Sequence, residues 1–143
     1  MEDINGKKIY LRKTEEKILT AWKENKSKRI SIRDDIRAGD LAKIYTLWNT
    51  NLVSETLEGH EVRINITGND DMDDRYYRYG RQKDVIMTQT TKSRLDAFLL
   101  YYGFDKLEVH SSKKEWCVRH KGKGLSTDSW YRLDFATKEL IKC

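Results

Sequence analysis

The sequence predicts an α+β fold, a mostly antiparallel sheet with about three helices packed on it. Three observations lead there. Apolar–polar alternation with the period of a half-buried strand recurs at residues 8–12, 29–33 and 62–66. Between such runs lie segments whose apolar residues stand three and four apart, the spacing of an amphipathic helix. Most strand-like runs are joined too closely for a parallel crossover, so they pair antiparallel. A length of 143 residues suits one domain, 1–143, able to bury its own core.

In order, residues 8–12 read as a strand. Thr14 is placed to cap a helix with Glu15 and Glu16 in its first turn and Ile18 and Trp22 on one face. Residues 29–33 read as a second strand and 34–39 as a loop. Leu41, Ile44, Tyr45, Trp48 and Leu52 fit a helix opened by Asp40. The rival for residues 40–53 is a hairpin turning at Asn49-Thr50-Asn51. Val62, Ile64 and Ile66 mark a strand, residues 68–74 a polar acidic loop, and 84–89 a further strand. Ser93 and Asp96 have capping-box spacing, Leu95, Phe98, Leu99 and Tyr102 share a helical face, and Gly103 is placed to end that helix. A hairpin follows. With its turn at residues 111–114, Val109 faces Trp116 and Leu107 faces Val118, all on one side. Residues 121–124 form a turn and 130–135 the last strand.

Composition narrows the function. Charged residues make up 36% of the chain, yet four Trp, eight Tyr and three Phe are too many aromatics for a disordered one. No apolar run approaches the roughly 20 residues that span a bilayer, and the first residues do not resemble a signal peptide. The expected compartment is the cytoplasm, with no membrane partner. Cys117 and Cys143 are too few for a disulfide framework and are expected as free thiols. Absent proline with abundant Lys and Ile suggests an AT-rich coding sequence, as in many small phage and mobile-element proteins.

The net charge of +5 is unevenly spread. Residues 1–70 carry 13 basic and 12 acidic side chains, and residues 71–143 carry 15 and 11. Two clusters hold the surplus. Arg75, Tyr77, Arg78, Tyr79, Arg81 and Lys83 interleave guanidinium groups, which pair with phosphates, with rings that stack on unpaired bases. The upstream Asp70, Asp71, Asp73 and Asp74 oppose them. Lys113, Lys114, Arg119, Lys121 and Lys123 face only Glu115, and Gly122 and Gly124 would let backbone N–H groups approach an anion. The sequence therefore points to a non-enzymatic binding domain for nucleic acid. The alternative is a small accessory or inhibitory protein that binds a host protein, whose interface would also favour Tyr, Trp and Arg.

Metal and nucleotide motifs fail. Residues 122–127 lack the P-loop spacing, and residues 69–80 lack the glycine and glutamate of an EF-hand. Cys117 and His120, an odd number of positions apart, point to opposite faces of a strand, which separates the zinc-competent set His110, Cys117 and His120. No cofactor is expected. Ile30-Ser31-Ile32-Arg33, Asp40-Leu41-Ala42, Ile44 and Leu47-Trp48-Asn49 resemble the opening strand and helix of GNAT acetyltransferases. The resemblance implies an acetyl-CoA enzyme with a deep apolar pocket. The family's loop, [RQ]-x-x-G-x-[GA], is not matched at residues 78–81, and residues 88–93 contain no glycine.

Overall fold

The computed structural model describes residues 1–66, 89–112, 115–126 and 129–143. Two helices stand among them, α1 (Lys13–Lys23) and α2 (Gln89–Tyr101). The strands are β1 (Lys28–Arg29), β2 (Asp34–Ala38), β3 (Ala42–Leu47), β4 (Thr50–Thr56), β5 (Val62–Asn65), β6 (Glu108–Ser112), β7 (Glu115–His120), β8 (Lys123–Leu125), β9 (Trp130–Asp134) and β10 (Glu139–Lys142). Seven form an antiparallel sheet in the order β1-β2-β3-β4-β5-β9-β10, and β6-β7-β8 form a second, three-stranded sheet. The α+β class holds, with two helices among the described residues where about three were expected. No helix among the described residues is long and apolar enough to cross a membrane.

The helices cover one face of the large sheet. Ile18, Leu19 and Trp22 of α1 and Leu95, Phe98 and Leu99 of α2 are buried with Ile36, Tyr45, Val53, Ile64 and Tyr131 from successive strands. The Phe98 ring meets Trp22 edge-on at 5.1 Å and lies 5.2 Å from Tyr45. The end of α2 follows the expected pattern. Gly103 has φ of 82°, its N–H donates to the Leu100 carbonyl, and Phe104 N–H donates to the Leu99 carbonyl, the paired bonds of a Schellman cap. A Cβ there would also meet Asn5 Nδ2 at 3.0 Å.

Local pattern failed where tertiary demands were stronger. Residues 8–12 make only an isolated bridge, Glu2 with Lys8. Thr14 does not cap α1, which starts at Lys13 with Arg12 at its N-cap and no side-chain cap. Ser93 is not a cap either, because α2 begins at Gln89 and the Ser93 hydroxyl donates to Glu15. Only Arg29 of the second alternating run is strand, as the end of β1, while the expected loop at 34–39 is mostly β2. Ser31 explains the change, since its hydroxyl donates to Asp34 Oδ2 at 2.7 Å and accepts the Asp34 N–H, which fixes a turn just before β2.

Residues 40–53 are the rival hairpin, with the turn at Trp48 and Asn49, whose φ angles of 52° and 64° are those of a type I′ turn. The apparent helical face was coincidence, for Leu41 and Trp48 are 80% and 58% exposed. A bulge between Tyr45 and Thr46 lets both Leu52 and Val53 be buried, which breaks the alternation in β4. The strand–helix unit that suggested an acetyltransferase is therefore not formed.

The β6–β7 register pairs Val109 with Val118 and His110 with Cys117, two residues away from the expected pairing. A two-residue shift keeps side-chain parity, so Val109 and Val118 still share a side. Lys121 and Gly122, with φ of 51° and 79°, make the turn into β8, so residues 123–124 belong to a strand. β9 ends at Asp134, and β10 was not anticipated. The loop at 68–74 and, apart from Gln89, the strand at 84–89 lie outside the described residues. Gln89 itself opens α2.

Candidate nucleic-acid interface

The helix face of the sheet is tied down by buried charge. Arg94 of α2, 5% exposed, donates through Nε to Asp34 Oδ1 at 2.8 Å and through Nη1 to Glu15 Oε2 at 2.7 Å. Tyr45 also donates to Asp34. One guanidinium thus joins α1, β2 and α2. A second network lies beside it. Lys43 donates to the Trp22 carbonyl at 2.7 Å and to Asn25 Oδ1 at 2.8 Å, and stands 3.4 Å from Glu55. Tyr102 donates to Glu55 and accepts the Trp22 indole N–H at 2.7 Å.

These contacts set the pKa values. Burial alone raises the Asp34 carboxyl, but hydrogen bonds from Arg94, Tyr45 and Ser31 and the Arg94 charge outweigh it and hold it below its ordinary 3.8. Burial lowers the Lys43 ammonium against the opposing pull of Glu55. Burial, with Asp34 or Glu55 beside the hydroxyl, pushes Tyr45 and Tyr102 far up. Because the folded pKa of Asp34 is depressed, its stabilisation is present above 3.8 and lost as pH falls through the folded value. Urea midpoints followed from pH 5 to pH 2.5 are expected to fall more steeply for the wild type than for Asp34→Asn.

The opposite face carries different chemistry. Cross-strand register places Arg37, Ile44, Ser54, Arg63, Arg132 and Ile141 in one row across β2, β3, β4, β5, β9 and β10. Among the described residues no helix packs on this row. Arg63 and Arg132 are directly opposite each other. Like charges in that relation, with Cβ atoms about 5 Å apart, destabilise a sheet. The two share one carboxylate, Glu61, at 3.1 Å from Arg63 Nη2 and 3.8 Å from Arg132 Nε. Arg37 is paired with Asp35 at 3.4 Å. Beside the arginines a shallow groove of about 460 Å³ is lined by Ser54, Arg63, Ser129, Trp130 and Cys143. Arginine fork donors, a partly exposed indole and hydroxyls on one sheet surface can bind phosphates and stack a base.

Of the basic and aromatic residues singled out in the sequence, Arg75, Tyr77, Arg78, Tyr79, Arg81, Lys83 and Lys113 lie outside the described residues. Lys121 and Lys123 are exposed at the β7–β8 turn. Lys123 Nζ donates to Glu139 Oε1 at 2.7 Å, and this bond and the two lysine charges hold the Glu139 carboxyl below its ordinary value. Glu139 shares the side of β10 that carries Ile141, so the turn adjoins the margin of the arginine face with part of its charge already opposed. Arg63, Arg132 and Trp130 were missed. Arg63 was legible as an outward residue of an alternating run, but its pairing with Arg132 depends on β5 and β9 being neighbours.

A second groove, about 480 Å³, runs along α1 and α2 past Arg12, Glu15, Lys92, Ser93, Asp96 and Lys106. Lys92 and Asp96 pair with each other, Asp96 accepts the Leu107 N–H, and Ser93 and Glu15 are bonded, so most of its polar groups serve the fold. Both cysteines are free. His110 and Cys117 are cross-strand neighbours, while His120 faces the other way with Nε2 3.0 Å from the Asp105 carbonyl. No cluster of three metal-ligating side chains occurs among the described residues. No family model, curated protein or solved structure matches this chain.

Proposed function

We propose that the chain is a non-enzymatic binding domain that holds single-stranded nucleic acid on the arginine-bearing face of its large sheet, opposite α1 and α2. The observation that carries this is the Arg63–Arg132 pair. Two arginines stand side by side over one shared carboxylate, at a cost to the sheet that a phosphate backbone would relieve. Trp130 and the groove beside it suit an unpaired base better than a stacked one, which favours single strands over duplex. Lys121 and Lys123 extend the positive margin, and the net charge of +5 favours encounter with a polyanion.

Fluorescence anisotropy with labelled oligothymidylate, oligouridylate and a duplex of equal length tests this. Single strands are expected to bind more tightly than the duplex at low salt and to weaken steeply as salt rises. Absence of single-strand binding at low salt would overturn the proposal. Nuclease-resistant capture of one protein in its place would favour the accessory-protein alternative.

A further inference from the structure

At one end of the large sheet, two loops meet. Residues 30–33 join β1 to β2, and Trp48 and Asn49 join β3 to β4. They are stitched together by the Trp48 N–H, which donates to the Arg33 carbonyl at 2.8 Å. Two large apolar side chains project there, Ile32 at 77% and Trp48 at 58% exposure. Neither serves the core. Trp48 also occupies the left-handed region, φ 52°, where asparagine or glycine would be at ease and a bulky residue is not.

The charge around it is positive. Lys28, Arg29 and Arg33 are exposed. The neighbouring carboxylates are already engaged, Asp34 by Arg94, Tyr45 and Ser31, and Asp35 by Arg37. Arg33 Nε is 4.0 Å from Asp34, a contact too long for a hydrogen bond, and Arg29 spends one N–H on the Ile32 carbonyl. The corner also stands at the end of the sheet where β9 begins. Asn65 reaches back to the Asn51 carbonyl and pairs in register with Trp130, so Trp48 lies just beyond the end of the sheet where Trp130 begins β9. At about 4.8 Å per strand, the backbone of the Trp48 turn is offset from β9 by roughly 10–15 Å across the sheet.

We propose that this corner is a base-stacking site. The Trp48 indole receives one unpaired nucleobase of the bound strand, Ile32 packs beside it, and Arg33, with Lys28 and Arg29, takes the flanking phosphates. The proposal rests on the single-strand reading above and adds a second anchor to it.

The test compares the wild type with Trp48→Asn and Trp48→Phe, using anisotropy of a short labelled oligothymidylate at low salt. Trp48→Asn is expected to bind roughly 5- to 100-fold more weakly, the range for one stacked base. Trp48→Phe is expected to keep most of the affinity. Trp48→Asn should melt no lower than the wild type, because asparagine suits the turn, so weaker binding cannot come from misfolding. Wild-type affinity in Trp48→Asn, or an equal loss in both variants, overturns the stacking site while leaving the sheet-face reading intact. Failure of the wild type to bind overturns both.

Discussion

Arg94→Leu is expected to destabilise the fold by about 3–5 kcal/mol, the largest effect of any single substitution considered. The loss does not come from the pair's own attraction, which largely offsets the cost of desolvating it. It comes from what remains behind. Asp34 is fully buried and Glu15 is 4% exposed, and without the guanidinium both are buried carboxylates that have lost their main cationic partner. Lysine is not expected to rescue, since one ammonium cannot reproduce separate bonds from Nε to Asp34 and Nη1 to Glu15. Urea denaturation of wild type, Arg94→Leu and Arg94→Lys measures this directly, and a midpoint unchanged in either variant would show that the network is not what fixes α1 and α2 to the sheet.

That network also explains how far the sequence could be read. Strands bounded by clear alternation, such as Val62 and Ile64 in β5 or Tyr131 and Leu133 in β9, were legible because the alternating residues they turn to the core are apolar. β2 was not, because its first buried residue is Asp34, which carries the hallmark of a loop until Arg94 is placed against it. Ser93 misled in the same way. It has the residue type and spacing of a helix-capping group, and its hydroxyl is spent on a tertiary contact with Glu15 instead. Residues 40–53 failed for another reason. Trp48 at the turn and Leu41 just before β3 supplied a false helical face, although both are exposed. The candidate interface was the least legible part. Arg63, Arg132 and Ser54 are unremarkable outward residues in three separate strands, and only the strand order makes them neighbours.

The paired substitution Arg63→Gln with Arg132→Gln is expected to have the largest effect on binding. Each lost phosphate contact removes about 1 kcal/mol or more, so the pair should weaken single-strand binding by roughly 30-fold or more at low salt. The fold should be spared or slightly stabilised, since glutamine keeps the stem and removes a like-charge pair from adjacent strands. A variant that melts like the wild type but binds poorly therefore separates a recognition role from a structural one.

The salt dependence of that variant is the most direct test of the sheet face as a nucleic-acid site. For a single strand, log K falls against log salt concentration with a slope of about 0.7 for each phosphate neutralised. With both arginines on phosphates, the slope for the double variant should be shallower than that of the wild type by about 1.4. Equal slopes and equal affinities for the two proteins would contradict the account and remove the arginine face from the binding surface.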